Sequence, residues 1–576
     1  MKSVVIFLGM VCFFTIAQLN NVRFEPSSTF WAQISFAYIG MIFFCYIILT
    51  HKKIYIPYVV IPLSLFGFYL TIQPHITPMS FPGLNYITTI EMFICILIAI
   101  TTNTIIYNYN LRIFTIYLSV AILIGVIIQS GIGFIQYANL FKYFHGIIFY
   151  DSSHPNTNIF GHFGQRNHYC HFLTWGVFAL IYLFHQKIIN KYFFAIIMFW
   201  LMFSITIASS RSVFLYFGCA NIITLFYWVL YKRQDLLKIF LLTIIATLTL
   251  FAFEYLYPII TEHLNHNTQI LSGFSRLQHS ESGGEFGRRL VEWKKAIVVF
   301  LSNTVTGCGW YGYAHYSVFL YKLFPNAPLN DGLFTNCHNL ILQLLAETGI
   351  IGTLMVCVGI LYIIYKMLRM SVCANAVEII IILCMIATTL IHSMVEYPLW
   401  YLYFLGVFVI FLSITTPIKT MNNKIITIAF MPFITLLFYI MITKSIIFDK
   451  LVNYIDTPDK ASIFKINTQN LLDIANKDQL MSYFAIFTLD NYIEPDGEFS
   501  LQSLSLGEML EYENKFVLFQ PYPLNLTKLA KIEWNMGNKN TAIMLAHTAK
   551  NAYPNYLNSI QVSLHKRKYK FLYNLK

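Results

Sequence analysis

"GHFGQRNHYCHFLTWGVFALIYLF" (Gly161 to Phe184) sets a polar cluster against the start of a long apolar run. Gln165, Arg166, Asn167 and the histidines 162, 168 and 171 stand at the mouth of what reads as a membrane span. Polar groups at that depth cost several kcal/mol each unless they are hydrogen-bonded or wet. The stretch therefore marks a membrane protein that keeps something polar at one end of its helices.

The rest of the chain agrees. Of 576 residues, 57% are hydrophobic and only 11% charged, with a mean hydropathy of +0.61. Soluble domains carry roughly 25% charged residues. A net charge of +12 would suggest nucleic acid in a soluble protein, but here much of it belongs to loops on one side of a bilayer, so no nucleic-acid partner is expected. Ten cysteines show no metal or redox spacing such as C-x-x-C. Most lie in apolar runs as small hydrophobes. Cys308 and Cys337 share a long polar loop, where they would either pair in an oxidising compartment or stay as thiols.

Apolar runs of the length that spans about 30 Å of hydrocarbon fall near 4–20, 33–50, 54–73, 87–107, 113–138, 168–185, 192–208, 212–230, 239–258, 339–364, 376–393, 398–415 and 425–446. They predict an all-α polytopic membrane protein with about thirteen transmembrane helices. The first run has only Lys2 before it and no small-residue cleavage site after it, so it reads as an anchor. With the N-terminus inside, the inner segments hold Lys2, Lys52, Lys53, Arg112, Lys187, Lys191, Lys232, Arg233, Lys238, Lys366, Arg369, Lys419 and Lys424. The short outer loops hold only Arg23, Lys142, Arg166 and Arg211. That asymmetry sets the orientation. It divides the chain into a membrane domain, 1–446, with a large outer loop at 259–337, and a soluble outer tail, 447–576.

In the tail, "LAKIEWNMGNKNTAIMLAHTAKNAYP" (Leu529 to Pro554) has the helix–turn–helix spacing of one tetratricopeptide-like unit. A single unit cannot bury its own face and should pack on neighbouring helices, as a structural cap or as a docking surface.

Candidate chemistry gathers on the outer side. In "SGGEFGRRLVEWKKAIVVFLSNTVTGCGWYGY" (Ser282 to Tyr313), residues 285–301 read as a helix with Leu290, Trp293, Ile297 and Phe300 as its apolar stripe. Arg288 and Arg289 near its start suit an anion, because guanidinium forks grip phosphate oxygens bidentately; the alternative is a surface helix on lipid headgroups. Arg211, between two spans with almost no loop, is either a site residue or a snorkelling one. His338, after Asn336, sits at the entry to a span, where a neutral imidazole can accept a proton. Glu396, Tyr397 and Trp400 occupy a short outer turn broken by Pro398. His168 and His171 share a helical face, but no carboxylate or cysteine completes a ligand set, and no metal is expected. There is no G-x-S-x-G elbow, no G-x-x-x-x-G-K-[ST] loop and no dinucleotide fingerprint.

Four segments in this order, "FGHFGQRNHYCHFL", "SSRS", "TNCHNLILQLLAETGIIG" and "HSMVEYPLWYLYF", resemble the O-antigen ligase superfamily of membrane glycosyltransferases. Within it the chain is most similar to bacterial protein O-oligosaccharyltransferases of the PglL type. The resemblance implies an inner-membrane, multi-pass enzyme with a large periplasmic loop over its site and a C-terminal helical periplasmic domain. It implies en bloc transfer of an oligosaccharide from undecaprenyl pyrophosphate to Ser or Thr of pilin or another exported protein, without metal, nucleotide or other cofactor. By motif, His338 matches the family's essential histidine. Arg211 and one of Arg288 and Arg289 match arginines assigned to the pyrophosphate, and Gln165 and Tyr397 match polar positions that shape the site. Gln165, Arg166, Asn167 and His168 would then line the sugar or pyrophosphate end of the pocket. O-antigen ligase, with lipid A-core as acceptor, and O-antigen polymerase remain alternatives within the superfamily. A transporter or flippase would instead need charges buried mid-span and polar loops on both faces.

Overall fold

The computed structural model describes residues 2–264, 285–324, 332–370, 375–496, 504–565 and 567–574. Residues 265–284 and 325–331 of the expected outer loop, residues 497–503 of the tail and Cys373 lie outside the described residues.

Each of the thirteen apolar runs becomes a helix. They are α1 (Lys2–Thr15), α2 (Phe30–Thr50), α3 (Val60–Ile76), α4 (Pro82–Tyr109), α5 (Leu111–Tyr137), α6 (Arg166–His185), α7 (Lys191–Ile207), α8 (Ser212–Tyr231) and α9 (Gln234–Leu264). After α10 (Glu285–Ser302) and the short α11 (Tyr313–Phe319) come α12 (Leu340–Met370), α13 (Ala376–Ser393), α14 (Leu402–Leu412) and α15 (Asn423–Asn453). Eight of the described helices are long and apolar enough to cross a membrane: α2, α4, α5, α8, α9, α12, α13 and α15. Four others, α1, α3, α7 and α14, are apolar but shorter. The protein is an all-α, multi-pass membrane protein.

Two expected spans are cut short for visible reasons. The run at 54–73 begins as a strand, β1 (Lys53–Pro57), antiparallel to β2 (Pro417–Asn422) with Lys53 opposite Asn422. The run at 398–415 opens with a 3₁₀ turn over Pro398–Trp400 and leaves an α14 of 11 residues, about 16 Å of helix. The ribbon lies at the end of α14 remote from Glu396. There Asn103 of α4 donates from Nδ2 to the carbonyls of Ser413 and Thr415, at 2.8 and 2.9 Å.

Helices α6 and α13 form the centre. Residues 168–183 of α6 are buried without a break, and Trp175 Nε1 donates to the Met385 carbonyl of α13 at 3.2 Å. By contrast α12 and α15 are peripheral, each with most of its apolar stretch unburied. Helix α12 is broken at Gly349 (φ 60°, ψ −163°). The segment after α10 enters that break. Cys308 and Gly309 donate to the carbonyls of Ala346 and Glu347, and Ile350 donates back to Thr304. Tyr69 and Gln73 of α3 complete the join: Tyr69 Oη donates to the Thr348 carbonyl at 2.8 Å, and Gln73 Nε2 to that of Glu347 at 2.7 Å. Cys308 and Cys337 are both free thiols.

The stripe expected on α10 is buried only in part: Trp293 packs against the cluster of Ala296, Val299 and Tyr313. Leu290 and Ile297 are exposed, whereas Glu292, Lys295, Ala296 and Val299 are buried. Lys295 Nζ donates to Glu292 Oε1 at 2.8 Å, and Tyr313 Oη donates to Glu292 Oε2 at 2.8 Å. A paired lysine and glutamate belong inside protein, and large apolar side chains can face outward at a membrane surface. The buried face therefore mixes an ion pair with apolar side chains, and two of the four stripe residues face outward.

Beyond α15, the tail holds α16 (Ala461–Lys477), α17 (Ser482–Leu489), α18 (Leu506–Val517), α19 (Pro523–Asn535), α20 (Lys539–Ala552), α21 (Leu557–Leu564) and α22 (Lys570–Asn574). Helices α19 and α20 form the expected pair, turning at Gly537 (φ 90°). Leu529, Ala530, Ala542, Ala546 and Ala549 are buried in a cluster that also takes in Val318 of α11, so the pair packs on a neighbouring helix.

Candidate active site

Glu396 is the centre of the polar cluster. Helix α13 ends at Ser393 and Pro398 opens the next turn, which leaves Glu396 in a tight connection at the end of a buried helix. Its side chain is 2% exposed. Four donors from three other parts of the chain meet it. Oε2 accepts from Gln165 Nε2 and from His338 Nδ1, each at 2.9 Å. Oε1 accepts from Asn167 Nδ2 at 2.9 Å and from Arg289 Nη2 at 2.5 Å. A carboxylate offers about four lone-pair positions on two oxygens, and all are taken. Glu396 is thus a hub that holds other groups, and not itself a proton acceptor.

Burial alone would raise the Glu396 carboxyl; the hydrogen bond from His338, together with the guanidinium charge of Arg289, outweighs it and holds the group well below the usual carboxylate range. It is therefore ionised in the folded protein at neutral pH.

His338 lies in the left-handed region (φ 58°), two residues before α12. Its backbone N–H donates to Asn336 Oδ1 at 2.8 Å, which fixes the turn. Because Nδ1 faces an ionised carboxylate, the neutral ring carries its proton there and its lone pair on Nε2. The side chain is 19% exposed. Tyr397 meets the imidazole edge-on, centroids 5.2 Å apart, and Phe334 lies 5.6 Å away on another side. The result is a histidine with one nitrogen anchored, the other set to accept a proton, and a ring position fixed by aromatic neighbours.

The remaining residues singled out in the sequence divide. Gln165, Asn167, Arg289, His338, Glu396 and Tyr397 come together. Arg211 is the residue before α8, next to Ser210, whose hydroxyl donates to Asn167 Oδ1 at 2.8 Å. That places Arg211 beside the network, one residue from a member of it. The Arg288 guanidinium covers the Phe334 ring at 4.1 Å. Arg166 donates to Asn158 Oδ1 at 2.9 Å, back into the loop before α6. Below the hub, His168, His171 and His392 pack ring against ring, with centroids 5.1 Å (168–392) and 4.8 Å (171–392) apart. Tyr216 Oη and His392 Nδ1 are 2.6 Å apart, and His171 Nε2 and Thr389 Oγ1 3.1 Å. Among the described residues no group of three ligand-type side chains has the geometry for a metal ion.

Sequence reading missed Ser210, His392 and Tyr216. Ser210 lay within a quoted motif, but nothing local tells a serine that bonds across helices from one that caps its own. His392 stood in the "HSMVEYP" motif, four residues before Glu396, and that spacing was the available signal.

Three family models match the chain in consecutive segments. Residues 159–184 match the model described as protein glycosylation ligase, residues 194–357 that described as O-antigen ligase, and residues 380–567 that described as virulence factor membrane-bound polymerase, C-terminal. The first covers Gln165 and Asn167, the second Arg211, Arg289 and His338, the third Glu396 and Tyr397. Among curated proteins, the chain is similar to the general O-oligosaccharyltransferase of Acinetobacter baylyi, 28% identical over 316 residues, 52% of this chain and 52% of that protein. It is also similar to the ComP-specific O-oligosaccharyltransferase of the same organism, 24% identical over 254 residues, 44% of this chain and 43% of that one. The chain thus spans about half the length of the curated relatives it matches. The resemblance carried by the four motifs is the one these matches show.

Proposed function

We propose that this protein is a glycosyltransferase of the bacterial inner membrane. In this reading it transfers an oligosaccharide as a unit from undecaprenyl pyrophosphate to Ser or Thr hydroxyls of exported proteins such as pilin, at the periplasmic face. The observation that supports this best is the carboxylate of Glu396 joining His338 to Arg289. One anion orients both a proton acceptor and a cation, which are the two groups that displacement of a diphosphate by a hydroxyl requires. The relatives named as O-oligosaccharyltransferases favour protein as acceptor.

The chemistry follows from the geometry. The acceptor hydroxyl gives its proton to Nε2 of His338 as its oxygen bonds to the anomeric carbon. The bond from that carbon to the diphosphate oxygen breaks, and its electron pair leaves with the diphosphate. A proton acceptor held in place typically contributes 10²–10⁴-fold in rate. Charge growing on the diphosphate is met by Arg289, with Arg288 its neighbour in sequence and Arg211 next to Ser210 of the network; fixed cations in a site poor in water are worth more than in bulk solvent. The proton on His338 then passes to the departing diphosphate or to water. Gln165 and Asn167 act on the hub, and Tyr397 on the imidazole, so these three position groups that touch substrate. Orientation follows the basic residues: Lys52, Lys53, Lys419 and Lys424 lie by the ribbon on the cytoplasmic side, and the site on the other.

A second reading, O-antigen ligation or polymerisation, is favoured by the descriptions of two family models. Both readings use the same site and differ in acceptor. The deciding experiment co-expresses wild type or His338→Ala with an acceptor pilin and a lipid-linked glycan. We expect wild type to glycosylate the pilin and His338→Ala to lose at least about 100-fold of that activity. Full transfer by His338→Ala would remove the proposed base. Glycan on lipid A-core with bare pilin would move the protein to the ligase reading.

A further inference from the structure

The stretch from Leu333 to His338 leads into α12, and its two ends belong to different parts of the molecule. Leu333 packs against the buried cluster that Leu526, Leu529, Ala546 and Tyr553 of the tail form with Val318 of α11. His338, at the other end, is bonded to Glu396. A second seam runs beside the first. Val318 sits inside the tail cluster, and its neighbour Ser317 donates from Oγ to the Phe334 carbonyl at 2.9 Å. The Ser317 carbonyl in turn accepts from Lys295 Nζ of α10 at 2.6 Å. Just past α11, Tyr321 Oη and His547 Nδ1 of α20 are 3.2 Å apart.

Phe334 is where these contacts reach the chemistry. Its ring lies 5.6 Å from the His338 imidazole, with the planes at 61°, and the Arg288 guanidinium covers it at 4.1 Å. The hydrogen bond to Glu396 fixes where Nδ1 lies, but a single bond constrains the plane of the ring only loosely. That plane decides where the Nε2 lone pair aims. Two aromatic neighbours set it: Tyr397 from the turn after α13, and Phe334 from the segment held against the tail. The His338 backbone, at φ 58°, is in a region that residues other than glycine keep only where their surroundings hold them. One of the two aromatic supports therefore comes from the tail's side of the molecule.

We propose that Phe334 and Leu333 are positioning residues, through which the seating of the soluble tail sets the aim of His338 Nε2. The proposal rests on the reading of His338 as the proton acceptor. The tail then acts on the rate of transfer itself, whichever protein brings the hydroxyl, and not by capturing the acceptor. When Phe334 withdraws, Glu396 still holds Nδ1, but the lone pair no longer points at the hydroxyl.

Steady-state transfer by the full-length enzyme, with the lipid-linked donor and an acceptor pilin, tests this. Phe334→Ala should lower kcat about tenfold and leave KM for donor and acceptor unchanged. Phe334→Tyr keeps the ring and should restore most of the rate. Leu333→Ala, the milder variant, leaves Phe334 in place and thins only the contact with the tail; it should lower kcat by a smaller factor, again without a change in KM. In a His338→Ala background, adding Phe334→Ala should cost nothing further, because no ring is left to aim. An unaltered kcat in Phe334→Ala or in Leu333→Ala overturns the proposal, as does a rise in KM alone or an equal loss in the His338→Ala background. Failure of the underlying reading shows separately, as full transfer by His338→Ala.

Discussion

At Glu396, two opposing effects meet and the balance has consequences that can be measured. Desolvation disfavours the carboxylate, and the His338 hydrogen bond and the Arg289 charge favour it by more. A folded-state value below the unfolded one, about 4.3, means that the stabilisation is present above that pH and is lost as pH falls through the folded value. The difference in melting temperature between wild type and Glu396→Gln should be large at pH 7 and shrink as pH is lowered beyond about 4; a difference that stays the same down to the acid limit would contradict the assigned charge. Removing the acid outright, as Glu396→Ala, takes the carboxylate from the half-buried Arg289 and the other three donors and should cost up to about 3 kcal/mol of stability, read from chemical denaturation in detergent. His338, Glu396, Gln165, Asn167 and Tyr397 were all legible in the sequence as polar residues where apolar ones are the rule. Their mutual geometry was not. Gln165 and Asn167 were expected along the sugar or pyrophosphate end of the pocket, and their amide N–H groups go to Glu396 across separations of 231 and 229 residues, which no local pattern records.

Among the elements, the broken α12 carries the most information that hydropathy hides. The run over 339–364 reads as one continuous span, because apolar residues flank Gly349 on both sides. In the structure the break accepts the segment after α10 and so ties the helix bearing Arg289 to the one that follows His338. A Cβ at Gly349 would lie 2.3 Å from the Val305 carbonyl oxygen, at a φ that L side chains rarely adopt. Gly349→Ala should therefore destabilise by more than ~1 kcal/mol and lower kcat/KM with it; a variant with wild-type melting temperature would contradict the interlock. Gln73→Leu strips hydrogen bonds from the carbonyls of Thr306 and Glu347 and from the Trp310 N–H. It should cost about 1–3 kcal/mol for each buried group left unmet. The α10 stripe is buried only in part for a related reason: a 3.6-residue period shows that a helix has two faces, but beside a membrane it does not say which one turns inward.

Over the whole molecule, composition and loop charge were enough to give a multi-pass helical protein with its polar mass gathered at one end. What they left out is how closely the tail is joined to the membrane helices. Phe448 at the end of α15 stacks on Phe30, centroids 3.8 Å apart, and packs in one cluster with Phe81, Leu471 and Phe516. Lys444 and Asp478 form an ion pair at 2.5 Å, and a Cβ on Gly83 would sit 1.8 Å from the Gln479 carbonyl oxygen. Gly83→Val should free the tail without unfolding the helices, seen as faster proteolysis after residue 453 while the membrane part stays intact. Unchanged proteolysis would mean that the contact is not needed to hold the tail. The tail's helix pair also buries Val318 of α11, so the released variant should transfer less glycan to protein as well.

The account turns on one carboxylate that orients a base and a cation contributed from distant parts of the chain. Its most direct test is the transfer rate of purified Glu396→Gln with the lipid-linked donor and an acceptor protein. Glutamine keeps the size and loses the charge that fixes the His338 tautomer and holds Arg289. We predict that kcat/KM falls by about 100-fold or more in a protein that still folds. A Glu396→Gln enzyme that transfers glycan at the wild-type rate would contradict the account.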